Sequence, residues 1–142
     1  MAFVAAGGML PSTFLNMPIT VAIVEDNDKL RGTLARLLDR AAGFRCVSQY
    51  PSAEDALKGL PQVRPDVVLM DINLPGMNGV ETVQSIFKGL EAKKQERIPV
   101  IFITGYADEK MKQDAKALNP VAYIYKPFDV PELVDKIKKA VE

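Results

Sequence analysis

The chain has 142 residues, 48% of them hydrophobic and 25% charged, and its 18 basic side chains balance 18 acidic ones. That size fits one domain with a core of its own, and a formal charge of zero gives no general attraction for nucleic acid or an anionic membrane. Histidine is absent and Cys46 is the only cysteine, which excludes an intramolecular disulfide, a CxxC or histidine-ligated zinc site, Ser-His-Asp hydrolysis and a role as phosphohistidine donor.

No apolar run approaches the ~20 residues needed to span a bilayer. The opening stretch MAFVAAGGMLPSTFLN has no positive charge, unlike a secretory leader. Residues 1–18 read as a flexible N-terminal extension punctuated by Gly, Pro and Ser, and residues 19–142 as one cytoplasmic domain.

Ile19 to Val24 is a β-branched apolar run that ends abruptly in Glu25-Asp26-Asn27-Asp28. A continuous run of this kind is the mark of a buried parallel strand. Leu30, Leu34, Leu37, Leu38 and Ala41 then recur at helical spacing, with Asp26 or Asn27 as cap and Gly43 beyond the end. Phe44 to Gln49 alternates as a sheet-edge strand does. Ser52 caps a short helix through Ala53, Ala56, Leu57 and Leu60, and Pro61 and Pro65 bracket a loop. Asp66 to Met70 is a strongly apolar strand that delivers Asp71 at its end.

Leu74 to Gly79 is turn chemistry. The helix that follows turns Val80, Val83, Ile86, Phe87 and Leu90 inward, and Glu91 to Arg97 is a charged helix extension or a solvated loop. Pro99 to Ile103 is a buried strand ending at Thr104. Asp108 to Leu118 is a polar helix with a thin apolar stripe. Val121 to Tyr125 is the last strand, ending at Lys126-Pro127, and Pro131 to Val141 is the last helix. Strand and helix alternate five times, which predicts a parallel sheet covered on both faces through right-handed crossovers.

In such a sheet, ligands bind beyond the carboxyl ends of the strands. Those ends carry Glu25 and Asp26, Asp71, Thr104 and Lys126. Singly, each has an ordinary explanation: a turn residue, a helix N-terminus, a strand-end hydroxyl, a surface lysine. Together at one rim they are costly, because three carboxylates repel. Mg²⁺, which prefers oxygen ligands, would relieve that repulsion. Metal, ammonium and hydroxyl would then surround a phosphoryl group, and a carboxylate can serve as nucleophile to give an aspartyl phosphate.

Four segments carry a resemblance: Val24 to Asn27, Val67 to Gly79, Ile101 to Gly105 and Tyr123 to Phe128. With them the chain resembles the response-regulator receiver family of two-component signalling over about residues 19–142. The resemblance implies a flavodoxin-like, doubly wound, five-stranded parallel sheet in the order 2-1-3-4-5 with five helices. It implies Asp71 as phosphoacceptor, Asp26 as direct metal ligand, Glu25 holding a metal-bound water, and Asn73 giving its backbone carbonyl to Mg²⁺. Lys126 would pair with the phosphoryl group through a cis Lys126-Pro127 arrangement. Thr104 would be the switch hydroxyl and Tyr123 the ring that follows it, although Tyr125 shares the face of Tyr123.

The implied partners are a histidine kinase or phosphotransfer protein as donor, and a downstream protein or output domain on the face of the fourth helix, fifth strand and fifth helix. A phosphorylation-dependent homodimer is also implied, without nucleic-acid contact by this domain. The task is signalling rather than enzymatic turnover. Rival readings are a phosphorylation-independent adaptor, a Mg²⁺-dependent aspartyl phosphatase, and the receiver portion of a longer DNA-binding regulator. Two departures stand out: Glu25 where many members have Asp, and Asn119-Pro120 where many have Gly-Ala. Lys136 to Lys139 reads as a solvated helix face.

Overall fold

The computed structural model describes residues 17–105 and 109–141. Strand and helix alternate as expected: β1 (Ile19–Val24), α1 (Asp28–Arg40), β2 (Phe44–Tyr50), α2 (Ala53–Val63), β3 (Val67–Asp71), α3 (Gly79–Ala92), β4 (Val100–Thr104), α4 (Glu109–Ala117), β5 (Ala122–Tyr125) and α5 (Val130–Ala140). The strands form one parallel sheet in the order β2-β1-β3-β4-β5. Of the expected N-terminal extension, only Met17 and Pro18 fall within the described residues. Asp108, the expected first residue of the fourth helix, lies outside them.

Period-two alternation splits the core into two layers. Val21, Ile23, Val67, Leu69, Ile101, Ile103 and Ile124 face one way and pack with α1 and α5 through Leu34, Leu38, Leu133 and Ile137. Ala22, Val24, Val68, Met70, Val100 and Phe102 face the other way, toward α2 and α3. Strands buried on both faces must be apolar at every position, which is why the three central strands read as unbroken runs.

Local chemistry fixes the helix ends. Asn27, Ser52, Asn78 and Asp129 each cap a helix by accepting a backbone N–H with a side-chain oxygen, and Asn78 and Glu81 close a reciprocal capping box. Asn27 rather than Asp26 therefore caps α1, leaving Asp26 free. The charged segment after Leu90 stays helical to Ala92 and then loops out, where Arg97 lies 4.5 Å above the Phe87 ring. In α4 only Ala115 is fully buried, which suits its polar composition. Asn119 takes the left-handed conformation (φ 52°), and Val121 N–H already donates to Val100 O, so Pro120 costs the sheet no hydrogen bond.

Two expectations are corrected. Pro61 does not end α2, which continues to Val63. The proline falls in the last turn, where one missing hydrogen bond is tolerable. The fully buried Leu60 anchors that turn, and left-handed Arg64 closes it by donating its N–H to Leu60 O. The alternation expected over β2 is also broken. Val21 pairs with Cys46 but Ala22 pairs with Ser48, so Val47 is an extra residue. This slip reverses the inward face halfway along the strand: Phe44 packs in the α1 layer and Tyr50 in the α2 layer, although both are even-numbered.

Candidate functional site

Glu25, Asp71, Thr104 and Lys126 are each delivered by a strand that ends at the same rim. Glu25 follows β1 and stays 3% exposed because its N–H extends the ladder to Tyr50 O (3.1 Å). Asp71 is the last residue of β3, aligned with Ile103 and also 3% exposed. Thr104 ends β4 and is buried. Lys126 follows β5, its N–H donating to Thr104 O (2.9 Å), and its bond to Pro127 is cis, as the resemblance implied.

Oxygens of Glu25, Asp26 and Asp71 lie within 4.8 Å of one another. Lys126 Nζ stands 3.1 Å from Glu25 Oε1 and 3.8 Å from Asp71 Oδ2. The other oxygen of each buried acid meets a backbone donor: Asn27 N–H reaches Glu25 Oε2 at 3.1 Å, and Asn73 N–H reaches Asp71 Oδ1 at 3.0 Å. Asp26 is the exposed member of the cluster. Three carboxylates against one ammonium leave two negative charges at a cluster made of hard oxygen donors. That donor set fits Mg²⁺ or another hard divalent cation.

The loop after Asp71 is tightened by Gly79, whose N–H donates to Ile72 O at 2.9 Å. A Cβ at Gly79 would lie 2.2 Å from Asp71 O, so the N-terminus of α3 rests directly on the peptide of the central acid.

Asn73 does more than its backbone suggests. Its Oδ1 accepts the Thr104 hydroxyl at 3.0 Å, so one residue contacts both the central acid and the expected switch hydroxyl. Tyr123 stands apart from the acids. Its ring lies on Phe102 (centroids 6.0 Å apart, planes 28° apart) and is partly buried, while Tyr125 is 57% exposed. That contrast separates two tyrosines which sequence spacing left on one face. The Tyr123 hydroxyl is buried and has no hydrogen-bond partner among the described residues. Burial pushes its pKa up, and the neighbouring Tyr125 adds to the effect.

Arg31 belongs to the same rim and was not singled out from sequence. Its guanidinium donates to Glu25 O at 2.8 Å and pairs with Asp28 Oδ1 at 2.7 Å. Its only sequence signal is its place in the first turn of α1, where a basic residue opposes the helix dipole.

A model of the family described as the response regulator receiver domain matches residues 21–138. The transcriptional regulatory protein FixJ of Rhizobium meliloti is 35% identical over 123 residues, covering 87% of this chain and 57% of that protein. Sporulation initiation phosphotransferase F of Bacillus subtilis is 33% identical, covering 84% of this chain and 90% of that one. Among solved structures, the signal receiver domain of a modulated diguanylate cyclase from Desulfovibrio desulfuricans G20 superposes with a TM-score of 0.75 at 34% identity, covering 88% of this chain and 94% of that one. The chain spans 57% of the length of FixJ and 24% of that of the DNA-binding transcriptional regulator NtrC of Escherichia coli. No helix among the described residues is long and apolar enough to cross a membrane.

Proposed function

The chain belongs to the response regulator receiver family of two-component signalling, and on that footing we propose that Asp71 accepts a phosphoryl group from a histidine kinase or phosphotransfer protein. One observation carries this reading. Glu25, Asp26 and Asp71 bring oxygens within 4.8 Å of one another at the carboxyl rim of a parallel sheet, with Lys126 Nζ 3.8 Å from the central acid.

Asp71 Oδ1 is engaged by the Asn73 N–H, so Oδ2, on the Lys126 side, is the nucleophile. It forms a bond to phosphorus as the P–N bond of the donor phosphohistidine breaks, and the departing imidazole keeps the electron pair and takes a proton. Lys126 places its ammonium beside the incoming phosphoryl oxygens. Glu25, Asp26, Asp71 and the backbone carbonyl of Asn73 would hold Mg²⁺, which would supply neutralisation of charge on those oxygens. Proximity and charge compensation suffice for this transfer, and no general base is required.

Thr104 and Tyr123 report the event. The Thr104 hydroxyl leaves Asn73 for the phosphoryl group, Tyr123 turns inward, and the face of α4, β5 and α5 changes shape for a downstream protein, an output domain or a second copy. This is a two-state equilibrium that phosphorylation biases. The same cytoplasmic switch serves a stand-alone regulator or a receiver joined to an output domain. An aspartyl phosphatase is disfavoured, because Asn73 stands two residues after the nucleophile where a proton-donating acid would serve turnover. A phosphorylation-independent adaptor would have no use for the full set of acids, threonine and lysine.

The test is intact mass after incubation with acetyl phosphate and Mg²⁺. A phosphate-sized gain that disappears with EDTA and in Asp71→Ala is the expected result. An unmodified mass, together with a spectrum unmoved by beryllofluoride and Mg²⁺, would favour the adaptor.

A further inference from the structure

Arg31 is expensive where it stands. It lies in the first turn of α1, yet its side chain runs back past the helix N-terminus, where the dipole disfavours a cation. The side chain is only 16% exposed. Both ends of its fork are used: Nη1 donates to Glu25 O at 2.8 Å, and Nη2 meets Asp28 Oδ1 at 2.7 Å. Its own N–H donates to Asn27 O at 2.9 Å. The guanidinium therefore spans the segment from the end of β1 to the start of α1.

Asp26 lies inside that span. Glu25 O belongs to the peptide that joins Glu25 to Asp26, so a donor on this oxygen sets the plane from which the Asp26 side chain departs. Glu25 needs no such help, being buried and held by Lys126 and the Asn27 N–H. Asp26 is exposed, and no hydrogen bond of its side chain is seen among the described residues. From this we infer that Arg31 is a positioning residue, which clasps the peptide before Asp26 and so holds that carboxylate in place for the divalent cation. The inference rests on the metal site proposed above. The Asp28 pair fixes the guanidinium and keeps a fourth carboxylate turned away from the cluster.

A bare electrostatic role predicts the opposite sign. A cation near the acids repels Mg²⁺, so its removal would tighten binding. Positioning predicts weaker binding, because partners that orient metal ligands typically contribute about 10–100-fold in affinity.

The experiment is calorimetric titration of the full chain with MgCl₂, wild type against Arg31→Ala and Arg31→Lys, paired with amide hydrogen exchange of the metal-free proteins. Arg31→Ala should bind Mg²⁺ about 10-fold more weakly. Its amides at Asp26 and Asn27 should exchange faster while those of β3 are unchanged. Arg31→Lys keeps the charge and stem, so it folds even where alanine does not. It should still lose about 3-fold, because one ammonium cannot bridge both acceptors as a fork does. Equal or tighter Mg²⁺ binding by the variants, or faster exchange spread evenly over the sheet, would overturn the positioning role and leave the metal site standing. A wild type that binds no Mg²⁺ would overturn both.

Discussion

Gly79→Ala is the sharpest local test of how Asp71 is held. The added Cβ would lie 2.2 Å from Asp71 O and 2.9 Å from both Asp71 C and Ile72 Cα, all backbone atoms without a rotamer to yield. Since real Cβ atoms essentially never come closer than 3.0 Å, α3 or the Asp71 peptide must retreat by about 0.8 Å. Gly79 N–H is tied to Ile72 O, so the movement is shared with the loop. Helix propensity alone would favour alanine by up to about 1 kcal/mol. Overpacking opposes it by about 1–3 kcal/mol, so the net change is a loss of up to about 2 kcal/mol and a melting temperature lower by up to several degrees. A displacement near 1 Å at a reacting group can reduce rate by about 100-fold, and labelling by acetyl phosphate should fall 10-fold or more. Gly89→Ala is the control. It lies within the same helix with nothing within 4 Å of the added Cβ, and should gain about 0.8–1 kcal/mol without changing labelling. Thermal melts and intact-mass time courses read both variants. A Gly79→Ala protein that melts at or above the wild-type temperature and labels at the wild-type rate would refute the reasoning.

Other perturbations have predictable signs. Asp71→Asn keeps the acceptor for Asn73 N–H but removes one of three clustered charges. Against the loss of Lys126 at 3.8 Å, the relief from two acids within 4.8 Å should stabilise the metal-free protein by about 2–3 kcal/mol at an effective dielectric near 20. A melt in EDTA that is unchanged or lower would show that the acids do not repel as argued. Tyr123→Phe removes a buried hydroxyl without a partner among the described residues, so stability should hold or rise by up to about 1 kcal/mol; a clear loss by denaturant titration would reveal a partner. Burial, and then the charge of Asp39, hold the Cys46 thiol above its ordinary value of 9.0. Iodoacetamide labelling should therefore be slow at pH 8 and still rising above pH 9, and stability should decline over the same upward interval because the unfolded chain releases that proton first. A labelling rate already level by pH 8.5 would contradict this.

The alternation of elements and the convergence of Glu25, Asp26, Asp71, Thr104 and Lys126 were legible because each depends on short-range pattern: an unbroken apolar run, then a polar residue where the strand ends. What escaped depends on pairing between distant segments. The slip at Val47 exists only in relation to β1. Pro61 looks like a stop until the burial of Leu60 is known. The Thr104–Asn73 hydrogen bond joins residues 31 positions apart, and the near-contact of Gly79 with Asp71 is formed by a folded turn. Arg31 escaped for another reason: a basic residue in a first helical turn is disfavoured, and only its acceptors explain it.

The register slip in β2 has a bearing on solubility. An outer strand offers unpaired backbone groups to any passing chain, and a long flat one invites stacking of copies edge to edge. In β2 the irregularity at Val47 falls in the middle of seven residues, so neither half offers more than three or four consecutive groups in one plane. Asp39 further occupies the Cys46 N–H through its side chain at 2.8 Å. A second molecule laid along this border would have to match the same slip. The device that lets one strand serve both layers of the core thus also makes it a poor template for aggregation.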